Sequence, residues 1–141
     1  MPTVPITESA VSIDLTPRFG GSSTVQNSPI AAAAETVIAT VNVADFAATA
    51  MVAGVRLQGW AAYTVGGSGT AATLRIRKTD INGAVVVSSG ACTVTAANLV
   101  ESSVLGADAT PGVGTYVLTL QITNGATNTT ISAVHLSWSN F

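Results

Sequence analysis

Hydrophobic and polar residues alternate along most of this chain with the two-residue period of a β-strand whose one face is covered. The stretch 55–65 shows the pattern clearly, with Val55 and Leu57 on one side and Arg56 on the other. Similar short stretches follow, separated by turns rich in Gly, Asn, Asp and Pro. About eight strands are predicted, in the stretches ETVIATVNV, VRLQGWAAYTV, TLRIRKTD, GAVVV, CTVTA, NLVESSVL, GTYVLTLQIT and TISAVHLSW.

A β-hairpin is predicted in the stretch KTDINGAVVV. Asn82 and Gly83 supply the two left-handed residues that a two-residue turn requires, and strand-forming residues flank them on both sides. One short helix is a candidate at 28–37, where Ser28 could cap and Pro29 could take the first position. The β-branched residues that follow limit this helix to one or two turns.

Proline placement agrees with the predicted strands. The five prolines lie in the first thirty residues or in a predicted loop, so none removes a ladder hydrogen bond from a strand. Short strands at regular spacing, with almost no helix, predict an all-β fold, an antiparallel sandwich or jelly roll.

The first thirty residues differ from the rest of the chain. An alternating stretch at 11–15 is followed by a segment at 18–29 that is rich in Gly, Ser and Asn. If the chain's own core covers the alternating stretch, it is an ordinary first strand; if a neighbouring subunit covers it, it is an arm. Ordering such a segment costs about 1–2 kcal/mol per residue, more than burial of its few apolar side chains returns. We therefore expect an arm that becomes ordered on a sheet edge supplied by a partner.

The predicted organisation is an extended N-terminal arm over 1–30 and a β-sandwich domain over 31–141. The segment at 18–29 is interpreted as a tether that lets the arm reach a neighbour. The candidate contact residues of the arm are Val11, Ile13, Leu15, Arg18 and Phe19.

Composition indicates a protein that assembles with other protein. Charged residues make up 9% of the chain, against about 25% in ordinary soluble domains. Hydrophobic residues make up 48%, the opposite of a disordered composition. A net charge of -2 with five cations argues against a nucleic-acid partner. No stretch has the length of a membrane span and no signal peptide is apparent, so we expect synthesis in a cytoplasm and no membrane partner.

Catalytic chemistry has little support in the sequence. His135 is the only histidine and has no carboxylate close to it in sequence, and Cys92 is the only cysteine. The seven acidic residues are scattered, and no nucleophile elbow or phosphate-binding loop is present. We expect no enzyme activity, no metal and no cofactor.

Two groups of residues are candidates for contacts with other molecules. Arg75, Arg77 and Lys78 form either an exposed strand face kept soluble by charge or a docking patch for an acidic neighbour. The aromatic residues Trp60, Trp138 and Phe141 could stack a sugar or pack between subunits. Packing between subunits is the favoured interpretation for Trp138 and Phe141.

Four stretches in the order in which they occur carry a resemblance to a known family: AGVRLQGWAAYTV, LRIRKTDINGAVVV, DATPGVGTYVLTLQI and ISAVHLSWSNF. In type and order they resemble the small trimeric jelly rolls, of tumour-necrosis-factor-like topology, that tailed bacteriophages carry as capsid decoration (cement) proteins. The same jelly rolls also occur as receptor-binding tips of tails and fibres.

The resemblance implies a virion protein that binds the outer surface of a capsid as a homotrimer, with Trp138 and Phe141 as trimer contacts. Its partners would be the major capsid protein and neighbouring decoration subunits, which the N-terminal arms would reach. The role would be mechanical, stabilising the shell without turnover. The alternative is a receptor- or carbohydrate-binding head of a tail or fibre, with Trp60 or loop residues as its site.

Overall fold

The computed structural model describes residues 19–31, 33–43, 54–110, 114–124 and 128–140, and this part of the chain is built from strands without a helix. The prediction of an all-β fold is confirmed. The prediction of a helix at 28–37 is wrong for the residues described there. The Ser28 hydroxyl, predicted to cap that helix, instead accepts a hydrogen bond from the Ile131 backbone at 3.0 Å. The strands are β1 (Phe19–Ser22), β2 (Thr36–Val43), β3 (Val55–Thr64), β4 (Ala71–Lys78), β5 (Val85–Ser88), β6 (Cys92–Thr93), β7 (Leu99–Asp108), β8 (Gly114–Thr123) and β9 (Thr130–Asn140).

The strands form two antiparallel sheets. The first sheet has the order β1-β9-β3-β7, and the second has the order β2-β8-β4-β5 with β6 paired to β4. Most connections carry the chain from one sheet to the other, so neighbours within a sheet come from distant parts of the sequence. This is the arrangement of a jelly roll, and the prediction of an antiparallel jelly-roll sandwich is confirmed.

The core lies between the two sheets and is built from the inward half of each alternating strand. On β3, Val55 and Leu57 are fully buried while Arg56 is exposed, as the alternation predicts. Gly59 faces inward on the same strand, and a Cβ placed there would lie 2.5 Å from Cδ1 of Leu118 on the opposite sheet. The absence of a side chain at this position lets the leucine fill the middle of the sandwich.

The β4–β5 hairpin is present, but its turn is not the predicted two-residue type. The Lys78 amide donates to the Ala84 carbonyl at 2.9 Å across a loop at 79–83, and the left-handed residue of this loop is Thr79, with φ of 77°. Asp80 accepts a hydrogen bond from the Asn82 backbone at 2.8 Å, a side-chain turn that competes with the tighter one.

Residues 19–31 lie in the sandwich, which corrects the prediction of a tether for that part. Phe19–Ser22 pair with the chain's own β9, and Ile30 is buried and bridged to Thr129. The glycine that suggested a tether has a packing role, because a Cβ at Gly20 would lie 2.6 Å from Trp138 Nε1. Part of the predicted tether is therefore a strand of the chain's own sandwich, whereas the alternating stretch at 11–15, for which the first strand and the arm were the alternatives, lies outside the described residues. The other predicted arm contacts, Val11, Ile13, Leu15 and Arg18, lie outside the described residues.

Candidate functional site

The predicted docking patch lies on the outside of the second sheet, where two of its arginines meet one carboxylate. Arg77 makes a two-pronged ion pair with Glu35, at 2.7 Å and 3.0 Å. Arg75 Nη1 lies 3.3 Å from the same carboxylate, and the Thr119 hydroxyl donates to it at 2.7 Å. Glu35 thus joins the entry to β2 with β4 and β8.

The charges around Glu35 keep it ionised. Burial alone raises the pKa of this carboxyl, but the hydrogen bonds from Arg77 and Thr119 and the positive charges of Arg75 and Arg77 lower it further than burial raises it. The net result is a pKa below the ordinary value. Two of the three cations predicted to face a partner are therefore paired within the chain.

Replacing Glu35 by glutamine is expected to lower the free energy of unfolding by about 1–2 kcal/mol, because two partly buried guanidinium groups lose their carboxylate. Chemical denaturation monitored by tryptophan fluorescence measures the change. Asp80→Asn is the matched control, since its amide oxygen still accepts the Asn82 hydrogen bond and a change under about 0.5 kcal/mol is expected. Equal effects of the two variants would contradict this role of Glu35.

The third cation of the patch, Lys78, belongs to a second cluster at one end of the sandwich. Its ammonium lies 2.9 Å from Asp108, which also accepts a hydrogen bond from the Tyr116 hydroxyl at 2.7 Å. The Thr110 backbone donates to the other carboxylate oxygen at 2.9 Å. Because Asp108 ends β7 while Lys78 lies on β4 and Tyr116 on β8, this cluster ties the two sheets together.

The pKa of Asp108 makes part of the stability depend on pH. Burial raises this pKa, but the hydrogen bonds from Lys78, Tyr116 and Thr110 outweigh burial and lower the pKa from 3.8 to about 2. A carboxyl with a lower pKa in the folded chain stabilises the fold above its unfolded pKa and loses that effect as the pH falls through its folded pKa.

Acidification from about pH 5 to about pH 2 is therefore expected to remove roughly 2 kcal/mol of stability through Asp108. Glu35 acts in the same direction because its pKa is also lowered. Urea denaturation at a series of pH values measures the loss. Asp108→Asn should reduce the change in the free energy of unfolding between about pH 5 and about pH 2. If this variant loses as much stability as the original chain, Asp108 is not the source of the pH dependence.

The outer face of the first sheet has a different character. We define the outer face as the outward-pointing side chains of β1, β9, β3 and β7. Phe19, Leu99 and Leu105 point outward from it and are 79%, 65% and 64% exposed. Arg56 and Glu101 are the only outward-pointing residues of these four strands that carry a formal charge. Large apolar side chains concentrated on one weakly charged face mark an interaction surface.

A groove with a volume of about 520 Å³ crosses the outer face between Phe19 and Leu105. Its polar lining includes Gln58 and His135, and the Ser23 hydroxyl lies 2.9 Å from Nδ1 of His135. Among the described residues, no aspartate or glutamate lines this groove.

The structure separates the aromatic residues that the sequence grouped together. Trp60 points outward on β3 and is half-buried, opposite His135 on β9. Trp138 is 6% exposed and belongs to the core, so it presents little surface to another subunit. Phe141, the other predicted trimer contact, lies outside the described residues.

The outer face was not among the sites predicted from the sequence, although a signal for it was present. On β7, Val100 and Val104 point to the core side, while Leu99 and Leu105 occupy the other face. A strand with apolar residues on both faces is expected when both faces are covered. Assigning the residues of β7 to its two faces from the sequence would therefore have predicted that the outer face of this sheet is covered.

Neither a metal site nor a membrane-spanning helix is found in the described part of the chain. No group of three or more His, Cys, Asp or Glu that could hold a metal ion occurs among these residues. The described residues also include no helix of the length and apolar character needed to cross a membrane.

A two-sheet jelly roll with a weakly charged outer face is thus the class of domain that the geometry defines. No protein-family model matches the chain, and no curated protein does. Its fold is similar to that of several solved structures of infectious bursal disease virus. The crystal structure of the VP2 subviral particle has a TM-score of 0.60 at 10% identity, covering 99% of this chain and 37% of that chain.

Two further structures of the same virus agree. The structure of the Gx strain matches with a TM-score of 0.58 at 11% identity, and the match covers 99% of this chain and 37% of that one. The structure of the T13 viral particle matches with a TM-score of 0.56 at 11% identity, and the match covers 99% of this chain and 35% of that one. The chain thus spans little more than a third of each of these three chains. At these identities the likeness shows the fold alone, a two-sheet β-sandwich similar to part of those chains.

Proposed function

We propose that this chain is a structural subunit of a virion. The observation that carries the proposal is the outer face of the first sheet, which exposes Phe19, Leu99 and Leu105 around only two formal charges. A free monomer seldom leaves such a face open to water, whereas a subunit of a shell covers it with protein. The fold likeness to viral capsid structures supports the same class of function.

The more specific proposal is a decoration protein on the outside of a tailed-phage capsid. The resemblance of four sequence stretches supports it, and so does the low charge of the chain, 9% of residues. The partners in this proposal are the major capsid protein and neighbouring decoration subunits. The homotrimer implied by the resemblance stays a prediction, as does the arm formed by residues before Phe19.

The mechanism in this proposal is mechanical. Each copy adds buried surface across the boundary between capsid subunits, and burial stabilises by about 25 cal/mol per Å² of apolar surface before the costs of association are subtracted. Many copies acting together raise the resistance of the shell to internal pressure. No bond is made or broken in a substrate.

Binding of the purified chain to shells that lack it tests the proposal. We expect saturable binding and a higher temperature of shell disruption, read by light scattering and calorimetry. Deletion of residues 1–18 leaves β1 intact and is expected to weaken binding; deletion through residue 28 would also remove β1 and confuse the result. If the full chain neither binds nor stabilises shells, the decoration role is wrong.

One observation favours a second candidate, a receptor- or carbohydrate-binding head. The groove on the outer face combines the planar polar side chains of Arg56, Gln58 and His135 with the exposed ring of Phe19. Such a mixture can bind a sugar through hydrogen bonds and ring stacking. A glycan array probed with the labelled chain tests this candidate, and His135→Ala should reduce any signal.

A further inference from the structure

The register of the paired strands aligns the outward side chains in rows across the sheet. Some of these side chains project from the outer face, and a hollow lies between them. One row across the sheet has Phe19 at its β1 end, and the next has Leu105 at its β7 end. The groove of about 520 Å³ lies between them, with Gly21 and Ser137 at its floor. The same surface therefore carries apolar side chains that can insert and a hollow that can receive them. Self-complementary surfaces of this kind suit an interface between identical subunits.

The two charges of the outer face lie toward opposite ends of it. Arg56 is on β3, and Glu101 is on β7 opposite Ala62, six positions further along β3. A two-fold axis that crosses the strands between Gln58 and Trp60 brings Arg56 of each copy beside Glu101 of the other. An axis along the strands would instead place the two Arg56 side chains together. The charges therefore favour one of the two ways of stacking the faces and oppose the other.

The size of the outer face is adequate for such a contact. β3 has 10 residues and β1 has 4, so the face is roughly 34 Å long over three strands and about 15 Å wide only where β1 is present. Two copies then cover on the order of 1,000 Å² before the relief of the side chains is added, which is about the least that a biological interface buries. Stacked sheets pack about 10 Å apart, a separation that Leu105 and Trp60 can fill from both sides.

We propose that the outer face binds the outer face of a second copy of this chain about a two-fold axis, with Trp60 and Leu105 at its apolar centre and Phe19 at its margin. Arg56 of each copy pairs with Glu101 of the other. The inference rests on the proposed function, in which protein covers this face, and it names a second copy as the protein. It differs from the trimer implied by the sequence resemblance.

Sedimentation equilibrium of the full chain measures the state directly. We expect a mass twice the 14.1 kDa of one chain. Leu105→Asp should raise the dissociation constant by roughly 30-fold or more, because it places a charge in the apolar centre of the contact. Val85→Asp is the matched control, an exposed apolar residue on the other sheet, and should leave the mass unchanged.

Charge reversal tests the arrangement of the two copies. Arg56→Glu and Glu101→Arg should each weaken association, and the double variant should return it to within a few-fold of the original. Circular dichroism confirms that each variant is folded. A monomer at all concentrations, a trimer, or a double variant weaker than both single variants would overturn the inference. None of these outcomes bears on whether the chain is found in virions, so the proposed function is tested separately.

Discussion

Truncation of Leu118 to alanine is expected to lower the free energy of unfolding by about 2–5 kcal/mol, because it removes apolar contacts and opens a cavity at the centre of the sandwich. Leu118 is 0% exposed, and its side chain occupies the space that Gly59 leaves open on the facing sheet. Urea denaturation measures the loss. Leu99→Ala, at a leucine 65% exposed, is the control and should cost less than about 1 kcal/mol.

A double-mutant cycle tests the pairing of Leu118 with Gly59. Gly59→Ala alone should destabilise by about 1–3 kcal/mol, because its Cβ meets the leucine methyl at 2.5 Å. In the Leu118→Ala background the added methyl enters the cavity instead, so the cost should fall by at least about 0.5 kcal/mol. Strictly additive effects would show that the two residues do not share this space.

Asp108→Ala should give the next largest effect, a loss of about 2–4 kcal/mol in the free energy of unfolding. The carboxylate is 9% exposed and accepts from Lys78, Tyr116 and Thr110, which all lose their acceptor together. Tyr116→Phe removes one of these hydrogen bonds and should cost only about 1–2 kcal/mol. Denaturant titration at neutral pH measures both variants.

The matched control for Asp108 is again Asp80→Asn in the neighbouring loop. If Asp108→Ala costs no more than this control, the cluster at the end of the sandwich does not tie the sheets together. If Tyr116→Phe costs as much as Asp108→Ala, the hydroxyl contributes the whole effect and the ion pair with Lys78 contributes none.

Local pattern is sufficient to predict β2 to β9, but not β1 or all of the turns. β3 follows the alternation of its residues closely, because each inward side chain meets a core that every neighbouring strand also needs. The turn after β4 was predicted from Asn82 and Gly83 alone. Its geometry depends on the Asp80 side chain and on a left-handed Thr79, which the two-residue rule does not include.

Long-range contacts explain the remaining differences. The Gly-rich stretch around Gly20 has the composition of a tether, and only the position of Trp138 shows that glycine is needed there for packing. Similarly, Arg77 and Glu35 lie 42 positions apart, so a cation cluster that suggested a docking patch acquires its partner through the fold. Because the two members of such a pair are far apart in sequence, the sequence does not reveal that they meet, even when each residue stands out by itself.

The pKa of a side chain likewise depends on neighbours that only the fold provides. Asp108 and Tyr116 are eight positions apart, on strands of different sheets, and Lys78 comes from a third strand. The sequence alone predicts an ordinary pKa for Asp108. The folded chain gives it a pKa of about 2 because donors from three residues converge on it and outweigh the effect of burial.

The central claim, that this chain is part of the outer surface of a virion, is tested most directly by immunogold electron microscopy of intact virus particles. Particles from the virus that encodes the chain are labelled with an antibody raised against it. The decoration proposal predicts gold over the whole capsid surface. Gold confined to the tail would favour a receptor-binding head over decoration, and particles without label would contradict the claim of an exposed virion subunit.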